Sequence, residues 1–135
     1  MSQENVQSLR QGFAEFARGD VEAALERFDP DVDWRGAMAP ILGGGAVRGK
    51  EALREFFTRD LFDGFEEARV ETLAYRDLGN DVVLVTVRYV GRGESSGLEI
   101  DQTVFSLFRF RDGKVVSLRD YSTRDEALEA AGLSE

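Results

Sequence analysis

The chain has 135 residues, of which 42% are hydrophobic and 32% charged, a composition typical of globular proteins, so we expect residues 1–135 to form a single domain. Its formal net charge of −9 repels phosphate backbones and anionic headgroups, so we expect neither nucleic acid nor a membrane as a partner. Cysteine and histidine are both absent, which excludes thiolate and imidazole chemistry and the metal sites that these side chains build.

The first residues predict a cytoplasmic protein that begins with an amphipathic helix. The segment MSQENVQSLRQ lacks the apolar core of a signal peptide, and no apolar run approaches the length of a membrane span. Gly19 is predicted to end the first helix. Its apolar side chains recur at steps of three and four, the spacing of one helix face, at Val6, Leu9, Phe13 and Phe16.

A second helix, a short strand, a loop and a third helix are predicted next. Asp20 can cap the second helix, and Pro30 stops it. The loop contains Pro40 and three consecutive glycines. The apolar stripe of the second helix is Val21, Leu25 and Phe28. The predicted bounds of the next elements are Asp31 to Gly36 for the strand, 37–48 for the loop and Lys50 to Phe62 for the third helix.

From Ala68 onward the apolar side chains recur at every second residue, which predicts β-strands. Gly79-Asn80 and Asp112-Gly113 are turn signals, and Thr123 to Glu126 forms a capping box that opens a last helix. Helices packed on one face of a curved antiparallel sheet make an α+β domain. Four strands are therefore expected as an antiparallel meander, beginning near Ala68 and continuing over Val82–Val90, Ile100–Phe110 and Val115–Tyr121.

Three short strings match known motifs but lack residues that their chemistry needs. Gly44 to Lys50 has the spacing of a phosphate-binding loop, yet Glu51 replaces the serine or threonine that would hold magnesium. Gly93 to Gly97 matches a nucleophile elbow, but the chain has no histidine to activate a serine. The acidic run that begins at Asp29 lacks the glycine of a calcium loop, so we interpret it as a solvated acidic rim.

Three separated segments resemble the SnoaL-like branch of the nuclear transport factor 2 superfamily: ARGDVEAALERFDPDVDW, RGKEALREFF and FRFRDGKVVSLRDYSTRDEALEAAG. They occur in the order typical of the family, and the resemblance covers most of the chain. It implies a cone-shaped, barrel-like curved antiparallel sheet with the three N-terminal helices on its concave face and a pocket between them. It also implies a small hydrophobic ligand and no cofactor, while the reaction differs between members of the superfamily.

The resemblance can be followed position by position in two groups of related enzymes. Ketosteroid isomerases have a tyrosine, a general-base aspartate and an oxyanion-binding aspartate where this chain has Gly12, Gly36 and Ser106. Limonene epoxide hydrolases share the sequence 119–121, in which the aspartate helps to activate water, but their partner aspartate corresponds to Tyr89 here. SnoaL-type cyclases use a single pocket carboxylate. The resemblance therefore implies the fold more strongly than any one reaction.

Strand alternation and the family comparison together predict which side chains face the pocket. The faces that carry Ser106 and Asp120 are expected to point inward. Asp120 is the candidate catalytic acid or base, because burial among apolar neighbours is expected to raise the pKa of its carboxyl group. The alternative is a structural aspartate that pairs with Arg124 or caps the last helix. No metal site is expected, and the candidate ligand-binding residues are Trp34, Phe57, Tyr89, Gln102, Ser106 and Leu118.

Two classes of function stay open on these residues. The first is an isomerase, cyclase or hydrolase without a cofactor, which uses Asp120 as a proton carrier on a hydrophobic carbonyl or epoxide substrate. The second is a non-catalytic module of the same fold that binds a similar ligand.

The outer face of the predicted sheet carries an apolar patch, which predicts a homodimer. Phe105 and Leu107 on one strand and Val115 and Tyr121 on the next share this face, where a solvated sheet would have polar residues. Related proteins often associate through the same surface, as the resemblance implies. The competing interpretation is a monomer in which the last helix, Asp125 to Leu133, folds back over the patch.

Overall fold

The structure, a computed structural model, describes residues 2–36, 46–60 and 64–133. Most of the predicted loop over 37–48 and the end of the predicted third helix lie outside the described residues. The elements in chain order are α1 (Ser2–Ala17), α2 (Val21–Leu25), β1 (Phe28–Arg35), β2 (Val47–Arg48), α3 (Lys50–Glu55), one π-helical turn (Phe56–Asp60), β3 (Phe65–Gly79), β4 (Val82–Gly93), β5 (Glu99–Arg111), β6 (Lys114–Tyr121) and α4 (Arg124–Ala130).

The six strands form one sheet in the order β2-β1-β6-β5-β4-β3. The meander from β3 to β6 is antiparallel, as predicted. The sheet as a whole is mixed, because β1 pairs with β6 in parallel. The predicted α+β fold is confirmed, and the parallel pairing of β1 is a feature that the sequence did not predict. The direction of β1 depends on contacts between the two ends of the chain, which local periodicity does not record.

Helix α1 packs its predicted apolar face against the inner side of the sheet. Phe13 lies edge-on to Tyr75 of β3 and to Phe108 of β5, with ring centroids 6.4 and 6.1 Å apart. The helix ends before Gly19, whose φ of 83° lies in the left-handed region that glycine adopts without strain.

Helix α2 is shorter than the predicted second helix. Asp20 caps it as expected, since its side chain accepts a hydrogen bond from the Ala23 amide at 3.2 Å. The helix ends at Leu25, however, and Phe28 belongs to β1, where it pairs with Val115 of β6. Tertiary pairing with the last strand therefore overrides the helical spacing of Phe28.

The third predicted helix changes its hydrogen-bonding pattern halfway. It is α-helical only over Lys50–Glu55 and continues as the π-helical turn Phe56–Asp60. Phe57 in that turn lies edge-on to Trp34 of β1, with the ring centroids 5.2 Å apart. Such π-turns are frequent at functional sites, and this one forms part of the cavity wall described below.

Alternation divides the sheet into an inner and an outer face. Val83, Val85 and Val87 of β4 are fully buried in the inner core. Val115, which was expected on the outer face, belongs to this inner core as well. The register between β5 and β6 shifts after Arg109, so the alternation seen at the end of β6 does not extend back to its start.

Helix α4 covers part of the outer face, which is the arrangement predicted as the alternative to an exposed patch. Thr123 and Glu126 form the predicted capping box. Ala127 and Leu128 are buried and pack against Val82, Leu84 and Leu107. Phe105 and Tyr121 lie beside this contact and are only partly buried. Among the described residues, no helix is long and apolar enough to span a bilayer.

Replacing Leu128 with alanine should destabilise the fold by about 2–4 kcal/mol, because a buried leucine loses its contacts and leaves a cavity between α4 and the sheet. The matched control is Leu133→Ala, at an exposed leucine near the same helix, which should change stability by less than about 0.5 kcal/mol. Urea unfolding followed by the fluorescence of Trp34 measures both. Equal effects of the two changes would contradict the packing of α4 on the outer face.

Candidate functional site

A cavity lies between the helices and the inner face of the sheet. Its volume is about 60 Å³. One water molecule needs a cavity volume of at least about 10–15 Å³, so this cavity has room for a small organic group. Most of its wall is apolar, and its aromatic members are Phe13, Phe16, Phe28, Trp34, Phe57, Tyr89 and Phe108.

The aromatic side chains of the wall hold one another edge to face. The Trp34 ring has its centroid 5.9 Å from that of Phe28 and 6.3 Å from that of Phe108, and Phe57 is also 5.3 Å from Phe16. Each such pair contributes about 0.5–1.5 kcal/mol beyond its buried area. This side of the cavity is therefore a connected aromatic wall.

Two hydrogen-bond donors in this wall form no hydrogen bond with another described residue. Nε1 of Trp34 and Oη of Tyr89 take part in none of the hydrogen bonds formed by the described residues. Every fully buried side-chain nitrogen and oxygen in the described part has a partner, so these two atoms keep some exposure. Both side chains are only 8% exposed and line the cavity, so we place the exposed donors at the cavity surface.

The environment of Tyr89 keeps its hydroxyl group protonated. Burial raises the pKa of the phenol well above its usual range, and the negative charge of Asp120 raises it further. A neutral phenol donates a hydrogen bond, whereas a phenolate cannot. Tyr89 is therefore a hydrogen-bond donor at all physiological pH values.

Asp120 lies on the inner face of β6, opposite Ser106 of β5, and is partly buried. The Ser106 hydroxyl donates a hydrogen bond to Oδ1 of Asp120 at 2.5 Å. Ser106 is itself almost fully buried, so this bond holds the carboxylate in one orientation. The predicted structural role as a helix cap is not seen, because the Thr123 side chain caps α4.

The lack of a side chain at Gly36 leaves room for Asp120 beside Trp34 of the cavity wall. A Cβ atom on Gly36 would lie 3.1 Å from Nε1 of Trp34 and 3.3 Å from Oδ2 of Asp120. The indole donor and Oδ2 of the carboxylate therefore flank the same backbone position, directly after β1. A carboxylate and two neutral donors at one end of an apolar cavity can move a proton and hold an oxygen atom.

Arg27 is a charged residue of the wall that sequence reasoning missed. Its guanidinium donates two hydrogen bonds of 2.8 Å to the carboxylate of Glu15 on α1. These bonds lower the pKa of Glu15, so the pair is ionised and its charges are balanced. Ser8, Gly12 and Phe13 of α1 also line the cavity, and the apolar stripe of α1 pointed to the face on which they lie.

The predicted site residues fall into two groups. Trp34, Phe57 and Tyr89 line the cavity. The other four are not part of its wall: Ser106 and Asp120 pair beside it, Leu118 is buried in the inner core, and Gln102 lies opposite Tyr89 on β5. Their roles in binding or catalysis stay predictions. In the described ranges no group of acidic side chains is arranged to hold a metal ion.

The match to a family identifies the chain at the level of its fold. The family described as SnoaL-like domain matches residues 9–118, so the chain belongs to that family, and the resemblance seen in the sequence is confirmed. None of the curated proteins matches the chain.

Solved structures share this fold over nearly the whole chain. A nuclear transport factor 2-like protein from Burkholderia xenovorans LB400 has a TM-score of 0.73 and 25% identity, with 100% of this chain and 98% of that one covered. TerC, co-crystallised with polyporic acid, has a TM-score of 0.73 and 21% identity, with coverage of 93% and 96%. A Catenulispora acidiphila protein with a ketosteroid isomerase-like fold, in complex with trimethylamine, has a TM-score of 0.69 and 19% identity, with coverage of 98% and 95%.

The raised pKa of Tyr89 predicts a loss of stability in alkaline solution. Above about pH 10 the unfolded chain releases the phenol proton and the folded chain retains it, so the free energy of unfolding should fall as pH rises. Below that pH both states keep the proton, so the ionisation of Tyr89 should not change the free energy of unfolding. Replacing Tyr89 with phenylalanine should reduce this slope by about 1.4 kcal/mol per pH unit. Urea unfolding at a series of alkaline pH values measures the slope, and an unchanged slope would contradict the burial of the phenol.

Proposed function

We propose that this chain is a small-molecule enzyme without a cofactor, in which Asp120 carries a proton to and from a hydrophobic carbonyl or epoxide ligand. The observation that supports this most is the position of the Asp120 carboxylate, which accepts a hydrogen bond from Ser106 and lies near the indole N–H of Trp34 in the cavity wall. The proposal covers isomerases, cyclases and hydrolases, since all three need a proton carrier beside a bound oxygen atom.

The reaction that fits a carbonyl ligand balances without any further reactant. The ligand oxygen accepts a hydrogen bond from Tyr89 or Trp34, and the Asp120 carboxylate takes a proton from the adjacent carbon. The electron pair of that C–H bond moves toward the oxygen, where the donors stabilise the developing negative charge. In an isomerisation the carboxylic acid then returns its proton to a different carbon of the anion. In a ring closure the anion attacks the carbon of a second carbonyl group of the ligand, and the acid gives its proton to the oxygen of that group.

Gly36 connects this proposal with the resemblance to ketosteroid isomerases. The comparison places their general base at the position of Gly36, where this chain has no side chain. Oδ2 of Asp120 nevertheless lies 3.3 Å from the place that a Cβ of residue 36 would take. In this proposal a carboxylate from β6 serves the same end of the cavity.

Two relatives of this fold support a ligand in the cavity. TerC was co-crystallised with polyporic acid, and the Catenulispora acidiphila protein was solved in complex with trimethylamine. The aromatic wall of this chain favours an apolar or aromatic group, because aromatic side chains gain most from burying such a surface. The binding of such a ligand without any reaction is the alternative function.

Replacing Asp120 with asparagine should lower turnover of a ligand found in a screen of hydrophobic ketones, lactones and epoxides by about 10²- to 10⁴-fold. Binding should change little, because asparagine keeps the size of the side chain and can still accept the Ser106 hydrogen bond. The control is Asp31→Asn, which removes the same charge from an exposed position on β1 and should leave turnover unchanged. Steady-state kinetics and calorimetry measure the two quantities.

Two outcomes would overturn the catalytic proposal. If the unchanged protein binds hits tightly and turns over none of them, the chain is a binding module. If Asp120→Asn retains full activity, another group carries the proton. NMR titration of the Asp120 carboxyl group adds an independent test, because the sequence-based expectation is a pKa above the ordinary aspartate value.

We also propose that the chain forms a homodimer through the part of the outer face that α4 leaves uncovered, and that it acts in the cytoplasm. Phe105 and Tyr121 supply the remaining apolar surface there, which is smaller than the sequence suggested because α4 covers Leu107. The same patch would serve both partners across a twofold axis.

Light scattering at micromolar concentration should give twice the mass of one chain, and Phe105→Glu should return it to the mass of a single chain by placing a charge in the apolar contact. Leu73→Glu, at an exposed leucine of β3, is the matched control and should leave the dimer intact. A monomer in the unchanged protein would reject the dimer, and a dimer that survives Phe105→Glu would place the interface elsewhere.

A further inference from the structure

Three arginines surround one aspartate on the outer face of the sheet, on the side opposite the cavity. Asp33 and Arg35 lie on β1, Arg48 on β2 and Arg119 on β6. Trp34 and Leu118 point into the inner core, so their neighbours along each strand point outward. We call Arg35, Arg48 and Arg119 the arginine cluster.

The arginine cluster is held together by the carboxylate of Asp33. Oδ2 of Asp33 is 3.2 Å from Nη2 of Arg119 and 3.6 Å from Nη2 of Arg48, and Oδ1 is 3.4 Å from Nε of Arg35. The guanidinium groups of Arg119 and Arg48 therefore approach the same carboxylate oxygen. They lie close enough together for one bound oxyanion to contact both. Burial opposes the ionisation of Asp33, but the hydrogen bonds from Arg119 and Arg35 and their charges lower its pKa, so it is not the solvated rim that the sequence suggested.

Two other arginine networks among the described residues contain at least as many carboxylates as arginines. Arg54 lies between two carboxylates, those of Glu22 and Glu51. Arg88 lies between Asp101 and Glu71, and Glu71 also pairs with Arg69, so that network has two arginines and two carboxylates. In the arginine cluster, three cations share the one carboxylate of Asp33. The patch thus carries an excess of positive charge on a chain whose formal charge is −9.

The strand register adds a cost that a bound anion would relieve. Arg35 and Arg119 are direct partners in the parallel ladder of β1 and β6. Like charges placed opposite each other on neighbouring strands are destabilising. The Arg119 side chain is also held by the backbone, because its Nη1 donates a hydrogen bond of 3.1 Å to the backbone oxygen of Leu118. Arg35 and Arg48 are more than half exposed, so their remaining N–H groups are open to a ligand.

We propose that the arginine cluster binds a phosphate group, at a site separate from the cavity. A phosphate dianion matches the two positive charges that Asp33 leaves unbalanced, and its several oxygens can accept N–H groups from different guanidinium forks. The phosphate comes either as the free inorganic ion or as the ester of a small molecule. A nucleic acid is disfavoured by the acidic remainder of the surface.

The test is a titration of the protein with inorganic phosphate and, separately, with phenyl phosphate, at about pH 8, where phosphate groups are largely dianionic. NMR signals of the arginine Nε–H groups should shift in a saturable manner at Arg35, Arg48 and Arg119. Sodium chloride at the same ionic strength should not produce these shifts. Tighter binding of phenyl phosphate would identify an ester as the ligand, and equal binding would identify the free ion.

Three variants separate a phosphate site from a general effect of charge. Arg119→Gln should weaken binding at least tenfold, and Asp33→Asn should strengthen it several-fold, because it removes the competing carboxylate. Arg92→Gln removes one positive charge from a distant exposed position and should leave binding unchanged. Shifts that do not saturate, equal weakening by Arg119→Gln and Arg92→Gln, or weaker binding by Asp33→Asn would each overturn the proposal.

Discussion

The parallel pairing of β1 with β6 is the constraint on which the rest of the structure depends. It joins the helical first half of the chain to the end of the meander, since Trp34 pairs with Leu118 and Arg35 with Arg119. The burial of Val32 and Trp34 in the inner core stabilises the pairing, and each such side chain contributes about 1.5–3 kcal/mol. Without this pairing, neither Trp34 nor Gly36 would lie beside Asp120.

The same two strands serve two surfaces, because successive residues point to opposite sides of a sheet. Trp34 and Asp120 lie on the inner face, Trp34 in the cavity wall and Asp120 beside it, and their immediate neighbours Arg35 and Arg119 face outward in the arginine cluster. A slip of one residue in the pairing would exchange the two faces and place arginines in an apolar cavity. The register of β1 on β6 is therefore strongly determined, since burying an unpaired charge costs far more than the strand contacts provide.

Periodicity predicted the elements well and their long-range partners poorly. The alternation of β5 together with the family comparison placed Ser106 on the inner face, and the capping box at Thr123 placed the start of α4. The alternation of β6 failed at Val115, because a register shift interrupts it. Arg27 could not be found as a wall residue, since it lies in the turn between α2 and β1, and only the packing of α1 beside this turn brings its partner Glu15 to it. Local sequence patterns indicate on which face of a helix or strand a residue lies. Contacts between distant segments determine which residues pack against that face.

The differences from ketosteroid isomerases become consistent once Asp120 is taken as the carboxylate of the site. The resemblance places an acid at the positions of Gly36 and Ser106, and this chain has neither. Ser106 is the direct cross-strand partner of Asp120, so an aspartate at position 106 would put two carboxylates side by side in a partly buried site. Such a pair is destabilising unless one member binds a proton. A side chain at position 36 would press against Oδ2 of Asp120 and the Trp34 indole, which a glycine avoids. Serine and glycine at these two positions are thus compatible with a single carboxylate on β6, which is the arrangement proposed for the site.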